Sequence, residues 1–369
     1  MSRRKLAVQL FVLAIAIYIG CNHDVITSST LIKSFVTYCS QKFSHSSLYS
    51  IKIPNRRSEE KLAKKKKEIE THLVEKSPMV LNEVCSPNSD ICYMIIDEAM
   101  RYKDELIVKR RIALKKMPNY ALTIVDLNVP ADLTWSNLNT RNWPVNKLVI
   151  TTRYIKLLIA ASFFTEALTF EPTEQQKVLM IGLGGGVASN FLSMLDWLMI
   201  HTTVVEIDPF IYNIARQFFD HTDDDRTNVI IDDGIQFLKT AVENEETYNA
   251  LMIDACHTED EDILCPIEEF YMKNDVIKNV ADVLDENGVM TMNILCAKDS
   301  AENEDKILKA YEPFFPSCFL FKYLSQRRML ICSKKHNWTW TSRKSRFLKN
   351  IQQVDDVFEF KLYDLLKNI

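Results

Sequence analysis

The chain has 369 residues, 47% of them hydrophobic and 25% charged, with a formal net charge of −4. That is ordinary for a globular protein and supplies enough apolar material for one large or two modest domains. The slightly acidic balance predicts no nucleic-acid partner from bulk electrostatics, and the nine cysteines show neither a CxxC pair nor a zinc spacing. Cys256, Cys296 and Cys332 lie in apolar stretches and read as small core residues.

At the N-terminus, Ser2-Arg-Arg-Lys5 is a positive flank before the apolar run Leu6–Cys21, which is broken only by Gln9. Its 16 residues fall between a signal-peptide core and the roughly 20 needed to span a bilayer. No small-x-small cleavage site follows. The segment is expected to be an uncleaved signal anchor, giving a single-pass membrane protein with a cytoplasmic N-terminus. A cleaved signal peptide with secretion, or a peripheral segment, is the alternative. In the compartment beyond the membrane, Asn337-Trp-Thr339 would accept a glycan, and Cys85 and Cys92 could pair.

Residues 22–73 read as a stem, with the Lys/Glu-rich stretch Glu59–Glu70 as a solvated helix. Short β-like runs at Cys92–Ile96, Leu106–Ala113 and Ala121–Leu127 predict a small β-domain over 74–146. Strands and helices then alternate over 147–335. The strands are expected at Val178–Ile181, Thr203–Ile207, Asn228–Ile231, Ala250–Ile253 and Gly288–Ile294, with a final antiparallel pair at Phe319–Tyr323 and Met329–Cys332. Ala188–Met199, Pro209–Phe219 and Asp275–Leu284 carry helical spacing. Alternation of this kind makes a doubly wound, mostly parallel α/β sheet. Residues 336–369 read as a polar tail ending in an amphipathic helix at Val357–Leu366.

Four of the seven glycines fall within five residues: Gly182, Gly184, Gly185 and Gly186. They sit between the first parallel strand and a helix, where absent side chains let a nucleotide-like ligand approach the backbone. Glu206 ends the second strand and is placed to accept hydrogen bonds from ribose hydroxyls. Asp233-Gly234 follows the third strand, suited to the exocyclic amine of adenine, although Asp233 could equally cap a helix. Asp254 ends the fourth strand and faces the reacting centre as proton acceptor or amine holder, with His257 close behind it. Val187 replaces the third glycine of the nicotinamide fingerprint. The acidic run at 220–225 reads as a solvated loop, and no metal is expected.

This ordered set resembles the class I S-adenosylmethionine-dependent methyltransferases, in their spermidine-synthase-like branch. It is most similar to the C-terminal domains of elongation-factor lysine and N-terminal methyltransferases. The matching stretches are Ile181-Gly-Leu-Gly-Gly-Gly186, Val204-Val-Glu-Ile-Asp-Pro209, Asp233-Gly234, Cys265-Pro266 and Asn293-Ile-Leu-Cys296. The resemblance implies a Rossmann-like core preceded by a small N-terminal β-domain, S-adenosyl-L-methionine as cofactor, methyl transfer to a protein or small-molecule amine, and a homodimer. It carries cofactor binding onto Gly182, Gly184, Gly185, Gly186, Glu206, Asp233, Gly234 and Asp254, and catalysis onto Asp254 and His257. Spermidine synthases place an aspartate at the position of Gly185 and a second acidic residue at that of His257, which argues against aminopropyl transfer. A silent binding module with the same fold is the other alternative.

Overall fold

Two β-sheets organise the chain, and both belong to one compact unit spanning Leu62–Ile369. The computed structural model describes residues 56–368, apart from 88–89, 172, 258–260 and 299–300. Helix α1 (Arg56–Glu75) contains the lysine run. Lys61–Lys67 is exposed, while Ile69 and Leu73, four residues apart, bury one stripe in the core.

The first sheet is an antiparallel meander of β1 (Met79–Cys85), β2 (Cys92–Tyr102), β3 (Glu105–Leu114) and β4 (Met117–Asp126). Lys103 and Asp104 both adopt positive φ between β2 and β3, the conformation a tight two-residue hairpin requires. β1 is additional to the expected strands. On the buried face Asp97 pairs with Arg110 through two hydrogen bonds of 2.8 and 2.9 Å. The Arg110 guanidinium also donates to the carbonyls of Phe218 and Thr140.

The second sheet contains β5 (Gln176–Ile181), β6 (Ile200–Glu206), β7 (Thr227–Ile231), β8 (Tyr248–Ile253), β9 (Ile263–Cys265), β10 (Leu284–Cys296), β11 (Ser317–Leu324) and β12 (Arg327–Ser333). Their order is β11-β12-β10-β8-β5-β6-β7, with β9 added to β10. Pairings among β5, β6, β7, β8 and β10 are parallel, and β12 joins β10 antiparallel. The expected doubly wound sheet with its final antiparallel pair is therefore present. The helices are α2 (Arg153–Phe164), α3 (Val187–Ser193), α4 (Pro209–Phe218), α5 (Gly234–Glu243), α6 (Glu269–Met272), α7 (Asn274–Asp282), α8 (Ala301–Tyr311), α9 (Trp340–Phe358) and α10 (Tyr363–Leu366). Both faces of the sheet are covered, so its strands read as continuous apolar runs. Val178 and Met180 join one apolar cluster, and Leu179 and Ile181 join the other.

Two elements differ from the sequence reading. Helix α3 ends at Ser193 rather than Met199, because β6 begins at Ile200 to pair with Gln176. The supposed tail instead holds the 19-residue helix α9, which buries Phe347, Ile351, Val354 and Phe358. Interspersed lysines, arginines and asparagines mask that periodicity in the sequence.

Cys85 and Cys92 form a disulfide, as do Cys256 with Cys265 and Cys318 with Cys332. Cys256 and Cys332 are thus not simple core residues: pairing of β11 with β12 sets Cys318 opposite Cys332, and β9 runs beside the segment after β8 that carries Cys256. Cys296 is buried. The expectation of a single-pass membrane protein is also corrected. Among the described residues no helix is long and apolar enough to cross a membrane. Residues 6–21, on which that expectation rested, lie outside the described residues.

Candidate functional site

The carboxyl ends of β5, β6, β7 and β8 lie along one edge of the sheet and border a cavity of about 580 Å³. Gly182 follows β5 with φ +95°, and a Cβ there would lie 2.6 Å from the carbonyl oxygen of Asp254. The turn therefore passes so close to β8 that only glycine fits. Gly182 and Gly184 line the cavity. Gly185 and Gly186 instead pack on the far side of the turn. A Cβ on Gly185 would meet Thr123 Cγ2 at 2.5 Å and the Phe219 ring at 3.0 Å, and one on Gly186 would approach His221.

Glu206 is 7% exposed. Its Oε2 accepts from the Leu183 amide at 2.8 Å and its Oε1 from the Asp208 amide at 2.9 Å. Burial raises its pKa, and these amides oppose the rise by solvating the charged form. Asp233 lines the cavity while its Oδ1 caps α5 by accepting from Ile235 N at 2.8 Å, so one carboxylate both caps the helix and borders the cavity. Gly234 packs against Ile181, where a Cβ would come within 2.5 Å of Cγ2.

Asp254 stands at the centre. Its backbone amide continues the pairing with Ile181, and its Oδ1 accepts from Asn293 Nδ2 at 2.9 Å. Burial pushes its carboxyl up, countered first by Asn293 and then by the Tyr154 hydroxyl and the Arg327 charge. Asn293 Oδ1 in turn accepts from the Tyr323 hydroxyl at 3.3 Å, which fixes the amide orientation. His257 lines the same cavity, but its imidazole is not hydrogen-bonded to Asp254. Its backbone amide donates to Leu264. The disulfide Cys256–Cys265 ties the segment after β8 to β9, and both cysteines border the cavity.

The first sheet forms the opposite wall, a contribution absent from the sequence reading. Thr123 Oγ1 accepts from the Gly185 amide at 2.9 Å, and the Tyr93 hydroxyl donates to Asp208 Oδ2 at 2.7 Å. Ile207, 69% exposed beside Glu206, gives the cavity an apolar face. Asn293 lay in a matching stretch and could have been named from it. Tyr93, Tyr154 and Arg327 carry no local signal, since they reach the site from separate elements.

Residues 161–343 match the family described as the spermine/spermidine synthase domain. Over that stretch the chain is similar to spermidine-synthase-like domains. An eEF1A lysine and N-terminal methyltransferase homolog of Drosophila pseudoobscura pseudoobscura is 29% identical over 153 residues, 40% of this chain and 22% of that protein. The eEF1A lysine and N-terminal methyltransferase of Xenopus laevis is 32% identical over 155 residues, 41% of this chain and 22% of that protein. The matches therefore span 22% of the length of these relatives. A probable spermidine synthase from Corynebacterium glutamicum is similar to this chain in fold. Its TM-score is 0.53 at 12% identity, covering 76% of this chain and 94% of that one.

Proposed function

We propose that this chain is an S-adenosyl-L-methionine-dependent methyltransferase acting on an amine acceptor, either a protein or a small molecule. The observation that carries this choice of chemistry is the packing of Gly185 between Thr123 and Phe219. The aminopropyl-transferring branch, which this turn resembles, places an aspartate at that position to hold the cofactor's amine, and no such side chain fits here without displacing Thr123 or Phe219. The named relatives on the other branch are methyltransferases.

The residues suit the cofactor. A cavity of about 580 Å³ is of ligand size. Glu206 has lone pairs beyond those engaged by amides, available to ribose hydroxyls. Gly182 and Gly184 offer backbone without side chains, while Asp233, Gly234 and Ile207 surround the adenine end. When bound, the cofactor supplies an activated methyl group. The remaining task is alignment and exclusion of water. Asp254, oriented by Asn293, holds the acceptor nitrogen and its proton. His257 is the second candidate for taking that proton at the rim. The wall from the first sheet shields the reacting centre.

Calorimetric titration of the full chain with S-adenosylmethionine and with its decarboxylated form tests the reading. Micromolar preference for the intact cofactor is the expected result. Preference for the decarboxylated form would establish aminopropyl transfer. Binding of neither by folded protein would make this a silent module.

A further inference from the structure

Arg327 carries the one fixed positive charge among the described residues bordering the cavity. It opens β12, which runs antiparallel to β10, so it lies at the sheet edge where β8 ends in Asp254. Its guanidinium sits over the Tyr154 ring, 5.7 Å from the centroid, and beside the phenols of Tyr120 and Tyr323. The adjacent Arg328 is ion-paired with Glu304. Arg327 has no carboxylate within ion-pairing distance among the described residues. The phenols of Tyr120 and Tyr323 lie within hydrogen-bonding reach of this partly buried guanidinium, and Asp254 acts on it electrostatically without forming an ion pair, so its charge is only partly balanced and an incoming carboxylate is favoured.

Strand order assigns this charge to one end of the cavity. Along β12-β10-β8-β5-β6 the chain presents Arg327, Asn293, Asp254, Gly182 and Glu206 in turn. The ribose-facing carboxylate and the arginine thus lie on opposite sides of Asp254. A cofactor held at Glu206 brings its methyl group to Asp254 and leaves the Arg327 side to the acceptor. A polyamine would place a second ammonium beside the guanidinium, and like charges repel there.

We propose that the acceptor is an aminocarboxylate: an amine held by Asp254, with a carboxylate a few bonds away paired bidentately to Arg327. The proposal rests on the methyltransferase reading above and names its substrate class.

The test uses the full chain with S-adenosylhomocysteine bound and two probes of matched length, γ-aminobutyrate and putrescine. Arg327→Gln removes the charge, and Arg327→Lys retains it without the bidentate fork in case the first variant folds poorly. Wild-type protein is expected to bind γ-aminobutyrate in preference to putrescine. Arg327→Gln should weaken γ-aminobutyrate about tenfold or more, with Arg327→Lys intermediate. S-adenosylmethionine affinity should stay unchanged in both variants. Putrescine binding more tightly than γ-aminobutyrate, or neither probe binding, would overturn the proposal. So would loss of S-adenosylmethionine affinity in the variants, since it would assign Arg327 to the cofactor's own carboxylate. Failure of wild-type protein to bind S-adenosylmethionine is read in a separate titration and would overturn the methyltransferase reading together with this one.

Discussion

Glu206 occupies a buried position where a carboxylate is retained because amides of the glycine turn and of the next helix point at it. Glu206→Gln keeps the shape but removes the charge that, on the function proposed above, strengthens hydrogen bonds to the cofactor's ribose. Loss of one charge-assisted bond corresponds to about 1.5–3 kcal/mol. S-adenosylmethionine affinity should fall roughly tenfold to a hundredfold, with calorimetry as the readout. Gly182→Ala places a methyl group 2.6 Å from a backbone oxygen at φ +95°. A strained site of this type costs on the order of 1–3 kcal/mol. A urea midpoint equal to that of the wild type would contradict the close approach of β5 and β8. Gly185→Asp should likewise lower the midpoint, and it should not create affinity for the decarboxylated cofactor.

Among the elements, the first sheet has the most concentrated polar investment. The Asp97–Arg110 pair is almost wholly buried, and it links the sheet to the carbonyls of Phe218 and Thr140. Asp97→Ala leaves a buried guanidinium uncompensated and should cost about 3–5 kcal/mol. The double variant Asp97→Leu with Arg110→Met should recover most of that loss in chemical denaturation. A single-variant cost below experimental error would mean the pair is solvated. Helix α9 offers a second test. It buries four apolar side chains, each contributing roughly 1.5–3 kcal/mol. Their sum rivals the whole stability of a typical domain. Deleting residues 340–369 should therefore abolish cooperative unfolding, monitored by circular dichroism.

Across the entire fold, buried ionisable groups set opposing pH dependences. His221 is buried behind the glycine turn, and desolvation lowers its pKa below the ordinary value of 6.5, with Asp223 opposing. Its neutral form is thus favoured in the folded state. Its contribution is present above pH 6.5 and is lost as the pH falls through the lowered value. Asp254 and Glu206 have raised pKa values, so the folded state favours their protonated forms. Their contribution is present in acid and is lost as the pH rises through those values. Melting temperature should therefore fall when the pH is lowered from 7 towards the shifted His221 value, and His221→Gln should flatten that decline. An unchanged slope in the variant would exclude His221 as its source.

Much of the parallel core was legible because local signals there are strong. Fully buried strands give apolar runs, and a chain with seven glycines concentrates four in the turn after β5, of which Gly182 and Gly184 line the cavity. The acidic residues Glu206, Asp233 and Asp254 follow because successive strands of such a sheet end at one edge. The amino-acid order by itself determined the α/β class, the glycine turn and this row of carboxylates. Tertiary structure decided what distant segments contribute. It brought Thr123 to the back of the glycine turn, Tyr93 to Asp208, and Cys256 to Cys265. It also placed Gly185 against Phe219 rather than in the cavity, and set Arg327 across the sheet edge from Glu206. The physical reason is that spacing along a chain encodes periodicity and turns, whereas a side chain's partner depends on which strands become neighbours.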